Sequence, residues 1–528
     1  MDSPAAGQST AASPATAPPT RQVDVTTGPL TDPAAVDPET AEEYGLRPPG
    51  PSPGAEDLTG VRPRPVSDLV AMPGVVRPLV RLSGPVFIQQ LLTMTVGLTD
   101  TFLAGQFLEE AHVAAIGVLA YLLWMIPCAF SLVGVGTTAI IARLVGAGDI
   151  AEAGRVANQS LTAGTAVTAG LMVALFLFAP SLLAAMGLAG TAYDAAWGYL
   201  VLLTVFLPAM MVEQIGMACL RGAGDTLSGL IAMTVVNVIN AVLGVLLVAD
   251  VGPLPALGWL GLAIGTVAGY LAGAVMLTVL LVQGRAGLTW RPAAMRPDLP
   301  VIRRILRVGV PGGMDMLALV SCQFLFLAMV GQLGQLALAA HSLAIRIESL
   351  AYLPGTAFQV AASTMTGQYL GAGQPHRAIR SVWLAAALCG AFVTAMGGLF
   401  LAAPEALTRA FTSGPTAAAG ETAADLLAII AWALPVMGVG MVCSGGLRGA
   451  GDVRWPMLFT FFGFLAVRIP LAGYLAWDEV TLSGTDWSVT GLGWGIAGAW
   501  WAMVIDLYVR CGLTIGRFVQ GRWQREVV

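Results

Sequence analysis

The sequence predicts an all-α polytopic membrane protein with 12 transmembrane helices arranged as two pseudo-symmetric six-helix bundles. Three observations carry this: a scarcity of charge, a series of apolar runs of spanning length, and an internal duplication. Of the 528 residues, 56% are hydrophobic and only 11% charged, under half the ~25% charge of a soluble domain. So few charges cannot cover an aqueous surface of this size, and contact with lipid removes the need.

The apolar runs come first. A spanning helix needs ~20 predominantly apolar residues. Such segments lie near 84–108, 113–138, 156–181, 194–219, 227–249, 258–283, 304–330, 337–362, 379–403, 424–446, 455–476 and 493–515. Gly and Pro recur inside them, as membrane helices tolerate. Arginine placement tests the count. All 26 basic residues are Arg. With twelve spans, twenty-three of them fall on the side that carries both termini, and Arg409 alone on the other; Arg346 and Arg468 lie within spans. Acids gather on the Arg409 side, among them Glu109, Glu110, Asp250, Glu405, Asp478 and Asp486. The positive-inside bias then places both termini in the cytoplasm of a multi-pass protein of the cell membrane.

The third observation is the duplication. Leu220-Arg221-Gly222-Ala223-Gly224-Asp225 recurs as Leu447-Arg448-Gly449-Ala450-Gly451-Asp452. Leu144 to Gly148 matches Tyr369 to Gly373, Pro85 matches Pro311, and Pro208 matches Pro435, all at offsets of 225 to 227 residues. A constant offset marks a repeat. Six spans per repeat is an even number, so the halves enter the membrane in the same sense, related by an axis along the bilayer normal. The expected bundles are 76–298 and 299–518. Residues 1–75 are rich in Pro, Ala, Gly and Ser, carry a net charge of −6, and are expected to be a disordered cytoplasmic tail. They lack the basic-then-apolar order of a signal peptide. Residues 519–528 read as a second cytoplasmic tail.

These landmarks make the sequence resemble the multidrug and toxic compound extrusion (MATE) family. The stretches that carry the resemblance are Gly97-Leu98-Thr99-Asp100-Thr101, the two LRGAGD loops, Asn237-Val238-Ile239-Asn240, and residues 339–378. The last looks most like the bacterial branch related to DNA-damage-inducible MATE proteins. The resemblance covers roughly 80–520 and implies a secondary active antiporter. Such a protein exports organic, cationic or amphipathic small molecules in exchange for H+ or Na+, with no other cofactor, as a monomer in the bilayer.

Charge inside a bilayer costs at least ~2.5–3.5 kcal/mol per residue, so each polar residue in a span needs a reason. Asp100, two-thirds along the first span, can bind a proton or coordinate Na+. The resemblance assigns a cation site to the acid at this position, and no other metal is expected. Asn237 and Asn240 stand three residues apart on one helical face of the fifth span. Relatives often carry an acid four residues after the second Asn; here that position is Gly244. Asp315, four residues after Pro311, is the candidate coupling acid of the second half, with a role at a helix N-terminus as the alternative. Glu213, His341, Arg346, Glu348, Arg468 and Asp506 are candidates for the substrate cleft or for structural glue. The pairings expected there are Glu348 with Arg468, or Arg346 with Asp506. His341 offers either a proton shuttle or a packing residue.

Other chemistries find no support in the sequence. The six cysteines form no CxxC pair, and there is no Lys for a phosphate-binding loop. The chain is therefore not expected to be an enzyme or to bind nucleic acid. The alternative function is a lipid or lipid-linked saccharide flippase of the same superfamily.

Overall fold

The computed structural model describes residues 68–248, 257–411, 417–481 and 488–526. Most of the expected tail (1–67), Asp250 and Asp486 lie outside these. A short helix α1 (Asp68–Ala71) leads into α2 (Val76–Phe107), α3 (Glu110–Gly146), α4 (Ile150–Ala185), α5 (Gly190–Val205), α6 (Leu207–Ala223), α7 (Thr226–Val248) and α8 (Trp259–Val282). The second half holds α9 (Leu299–Gln332), α10 (Gln335–Gly371), α11 (Pro375–Ala402), α12 (Pro404–Arg409), α13 (Ala417–Ala431), α14 (Leu434–Ala450), α15 (Arg454–Phe461), α16 (Ile469–Ala476) and α17 (Gly495–Val519). A two-stranded antiparallel hairpin, β1 (Glu479–Thr481) with β2 (Ser488–Thr490), precedes α17.

Among the described residues, ten helices are long and apolar enough to cross a membrane, and two bent pairs, each taken as one span, bring the count to twelve. The pairs are α5 with α6, bent by 55°, and α13 with α14, bent by 58°. Each second segment has Pro within its first two residues, Pro208 and Pro435. Proline lacks the N–H that would continue the preceding helix but suits a helix start, so the two matched prolines break the same span of each repeat. The eleventh span differs: α15 and α16 are joined by a π-helical stretch, Phe462–Arg468. Large side chains such as Phe176, Leu177, Phe178, Val238 and Trp432 point outward and are exposed, as a lipid-facing surface requires.

The LRGAGD loops show why the repeat keeps those residues. Gly224 and Gly451 adopt φ of 87° and 92° and end their helices in the left-handed region, which favours glycine. Asp225 then caps the next helix by accepting from the Ser228 amide at 3.1 Å, and pairs with Arg285 at 2.6 Å. Asp452 pairs with Arg517 at 2.8 Å. The linker between the bundles belongs to the first half: Asn158, Gln159 and Thr162 of α4 donate to the carbonyls of Thr289, Arg296 and Met295 at 2.8, 2.8 and 3.0 Å.

The halves meet at the ends of the helices nearest the chain termini, and glycine makes the contact. A side chain at Gly136 would collide with the Ile305 carbonyl, and one at Gly309 with that of Leu132. Gly146 faces the Gln368 carbonyl in the same way, and Gly371 that of Arg143. Backbone therefore rests on backbone across the seam. Gln368 Nε2 donates to the Gly222 carbonyl at 3.0 Å, and Arg143 reaches the Glu526 carbonyl at 2.6 Å. Gly371→Leu is expected to push α3 and α10 from this contact to about the 8–10 Å spacing of ordinary helix pairs. Spin labels at Ala147→Cys and His376→Cys would report the widening; an unchanged distance would show that the seam tolerates side chains.

Two boundaries move from where composition put them. Residues 68–75 are docked, not free tail: Leu69 and Val70 are buried, and Arg377 donates to the carbonyls of Val70, Met72 and Gly74 at 2.8, 2.7 and 2.9 Å. At the other end Trp523 is fully buried and stacks on Phe518 at 4.9 Å. An apolar residue in a polar run is enough to anchor it when a half-open surface lies within reach.

Candidate functional site

Asp100 is buried at 6% exposure inside the first half, and four helices converge on it. Thr266 Oγ1 of α8 donates to its Oδ2 at 2.9 Å, and Tyr199 of α5 donates to the same oxygen at 3.2 Å. Asn240 Nδ2 of α7 donates to Oδ1 at 3.2 Å and lies 3.0 Å from Thr266 Oγ1. The carboxylate thus has three neutral donors and no cationic partner among them. Asn240 Oδ1 is buried without a hydrogen-bond partner, leaving an acceptor beside the carboxylate. An acid with hydroxyl and amide oxygens around it can take a proton or a small monovalent cation.

Thr266 is the hub, touching Asp100, Asn240 and Tyr199. Thr266→Val keeps the shape and removes every one of these contacts. Its expected cost is about 0.6–1.7 kcal/mol, read as a lower melting temperature in detergent. A cycle with Tyr199→Phe should show coupling, and simple additivity would dissolve the cluster.

Glycine explains the missing second acid. A Cβ on Gly265 would lie 3.1 Å from both the Asn240 carbonyl and the Gly244 amide, and one on Gly244 would lie 2.9 Å from Leu103 Cδ1. Helices α7 and α8 close up here, and Leu103 occupies the space a side chain would need. The duplication adds a contrast. Offsets of 226 and 227 residues carry Asp100 to Phe326 and Asn240 to Val467, so the repeat does not carry the cluster into the second half.

The other candidates fall elsewhere. Asn237 is not a partner of Asp100: its amide donates to the Met233 carbonyl of its own helix at 2.9 Å. Being on the same face as Asn240 was not enough, because a back-bond one turn away satisfied it first. Asp315 pairs with Arg448 of the second LRGAGD loop, and it sits deep within α9, which starts at Leu299, so it has no helix N-terminus to cap. Glu213, expected to face the cleft, is wholly buried. His341 packs between the rings of Phe326 and Trp500, each 5.7 Å away.

Neither expected C-half pairing forms. Arg468 bonds Asp506 at 2.9 Å and Gln323 at 2.9 Å, and Arg510 takes the other Asp506 oxygen at 2.8 Å. Arg346 is exposed, and Glu348, half-buried, stays near Arg468 without bonding it. The rotation of α17 against the π-helical stretch decides these partners. Gly463 leaves the room, since a Cβ there would strike Asp506 and Arg510.

Sequence reasoning missed Tyr199 and Thr266. The available signal was weak: a hydroxyl in an otherwise apolar stretch of α5, and one following Gly265 in α8.

The MatE family profile matches twice, at 85–246 and 311–473, one match per half. A probable multidrug resistance protein NorM of Thermotoga maritima is 26% identical over 462 residues, covering 87% of this chain and 95% of the relative. The multidrug resistance protein NorM of Burkholderia vietnamiensis is 30% identical over 414 residues, covering 75% and 86%. Among solved structures, a MOP-superfamily transporter of Pyrococcus furiosus superposes with a TM-score of 0.77 at 22% identity, covering 87% of this chain and 98% of that one. An outward-facing MATE transporter gives 0.76 at 22%, with the same coverage. With both halves matched by one profile and relatives running nearly end to end beside it, this chain belongs to the MatE family.

Proposed function

We propose that the chain is a secondary active exporter of organic compounds, cationic or amphipathic, which it exchanges for entering H+ or Na+ by alternating access. The observation that carries this reading is Asp100: a buried carboxylate held by three neutral donors, beside an unpaired amide oxygen. Such a group has no structural ion pair to serve, and binding a cation there changes the charge of the first half by one. The relatives named above are multidrug resistance proteins, which supports a lipophilic organic substrate. The arginine bias puts the glycine seam on the cytoplasmic side, so the described state is closed to the cytoplasm. Coupling then requires that the ion and the substrate favour opposite states, since a ligand shifts a conformational equilibrium only by its differential affinity.

The test is efflux of a fluorescent organic cation from proteoliposomes under an imposed pH or Na+ gradient. Gradient-dependent efflux supports export and names the ion. No efflux under either gradient, with folded protein verified, overturns the reading in favour of a lipid flippase.

A further inference from the structure

A second carboxyl group in the first half is unexplained by Asp100 and its neighbours. Glu213 of α6 is 0% exposed, and neither of its oxygens has a hydrogen-bond partner. Buried polar groups without partners are uncommon and call for a reason.

Its surroundings are specific. Gly273 of α8 lies alongside it: a Cβ there would stand in ordinary contact with Glu213 Cγ, at 3.7 Å, and would meet Val236 of α7 at 2.7 Å. The groups that bear on Glu213 are Arg221, on its own helix, the neighbouring Gln214 side chain, and Tyr270 of α8, which also feels Asp100. Arg221 Nε donates to the Met217 carbonyl at 3.3 Å, so its charge reaches Glu213 without a bond. From α2, Gln89 Nε2 lies 3.1 Å from Met217 Sδ, one turn from Glu213, and Gln89 Oε1 is also unpaired. Against α6, helix α4 sets Gly164 beside Met211 and Ile215, and α3 sets Thr138 on the Ala218 carbonyl; neither brings a charge.

The duplication shows what this arrangement lacks. Position 89 corresponds to Asp315 and Arg221 to Arg448, and in the second half those two form an ion pair. In the first half the acid has left that place and stands at 213, where its counterpart is Gly440. An ionised carboxylate with no cation bonded to it, in a membrane interior, is strongly penalised. The neutral acid avoids that cost, so the pocket is built for a carboxyl that carries its proton.

Helix α8 links the two acids. Thr266 holds Asp100, Tyr270 follows one turn later, and Gly273 touches Glu213. Seven residues separate Thr266 from Gly273, about 10 Å along the axis, in the direction of the terminal face. We propose that Glu213 is a second proton-binding site, which receives its proton from Asp100 by way of the Tyr270 region when the halves rearrange. The O–H bond on the Asp100 carboxyl breaks, one forms on Glu213, and no electrons are transferred. This deepens the export reading by naming the proton as the coupling ion, and it rests on Asp100 having the role given above.

The experiment uses the full chain in lipid nanodiscs and in proteoliposomes. Infrared difference spectra between high and low pH should show two protonated-carboxyl bands, one lost in Asp100→Asn and the other in Glu213→Gln. Glu213→Asp should restore the second. Because Glu213 passes on the same proton that Asp100 takes up, Glu213→Gln should cut proton-driven efflux while leaving the Asp100 band in place. Glu213→Gln mimics the neutral acid and should fold; a folded variant with unchanged bands and unchanged proton-driven efflux overturns the proposal. Failure of the export reading looks different: the wild type itself would show no proton-driven flux, while the two carboxyl bands and their separate loss in Asp100→Asn and Glu213→Gln would remain.

Discussion

Asp100→Asn is expected to cut gradient-driven efflux by roughly 5–150-fold, the range of a 1–3 kcal/mol coupling energy. The substitution is close to isosteric. Tyr199 and Thr266 can still donate to the amide oxygen, so the four-helix junction around residue 100 should stay assembled. What disappears is the negative charge, and with it the ability to take up a cation. The distinguishing result is a loss of ion dependence with substrate binding retained, measured as efflux beside equilibrium binding of the same fluorescent cation. Wild-type efflux with ordinary ion dependence would remove Asp100 from the coupling mechanism, leaving its hydrogen bonds as interhelical packing.

Asp506→Ala should give the largest loss of stability. Asp506 is fully buried and takes one guanidinium on each oxygen, Arg468 on one side and Arg510 on the other. Both cations also lie 4.4 Å from the ring of Phe464. Without the carboxylate, two positive charges share one aromatic ring inside the second bundle. Removing one partner of a buried pair typically costs about 3–5 kcal/mol, because the charge left behind is uncompensated. A sharply lower melting temperature in detergent is the expected readout. The double variant Asp506→Leu with Arg468→Met should lose less than the single one, since it removes charge of both signs together. If Asp506→Ala melts like wild type, the network is not structural.

How much of this was legible in the sequence follows from what each signal depends on. The spans were readable because a bilayer imposes length and apolarity on every helix, and the repeat confirmed them twice over. Asp100 and Asn240 stood out because polar residues are rare in such segments. Tyr199 and Thr266 did not, since a hydroxyl can bond its own helix and so needs no special site; Thr168 and Thr204 do so within one turn. The partners of Arg468 were misassigned for a related reason. Spacing within a helix says which residues share a face, but not which face of the next helix they meet. Arg346 and Asp506 have compatible charges, yet α10 turns Arg346 outward. The bends were half visible: Pro208 and Pro435 were matched as landmarks, while the angle arises only when packing of the two segments is resolved.

The glycine seam has a consequence for leakage. Side chains that interdigitate can slide, change rotamer and yield by degrees. Carbonyl oxygens seated on glycine Cα atoms, as at Gly136, Gly146, Gly309 and Gly371, have no such compliance. Packed interfaces of this kind favour discrete arrangements over graded ones. The seam should therefore behave as a latch rather than a spring, fully engaged or fully parted. A transporter that passes through no half-open resting state offers ions no continuous water path across the membrane. On this account, bulky residues at the seam would first betray themselves as a proton or sodium leak, before any change in what the protein carries.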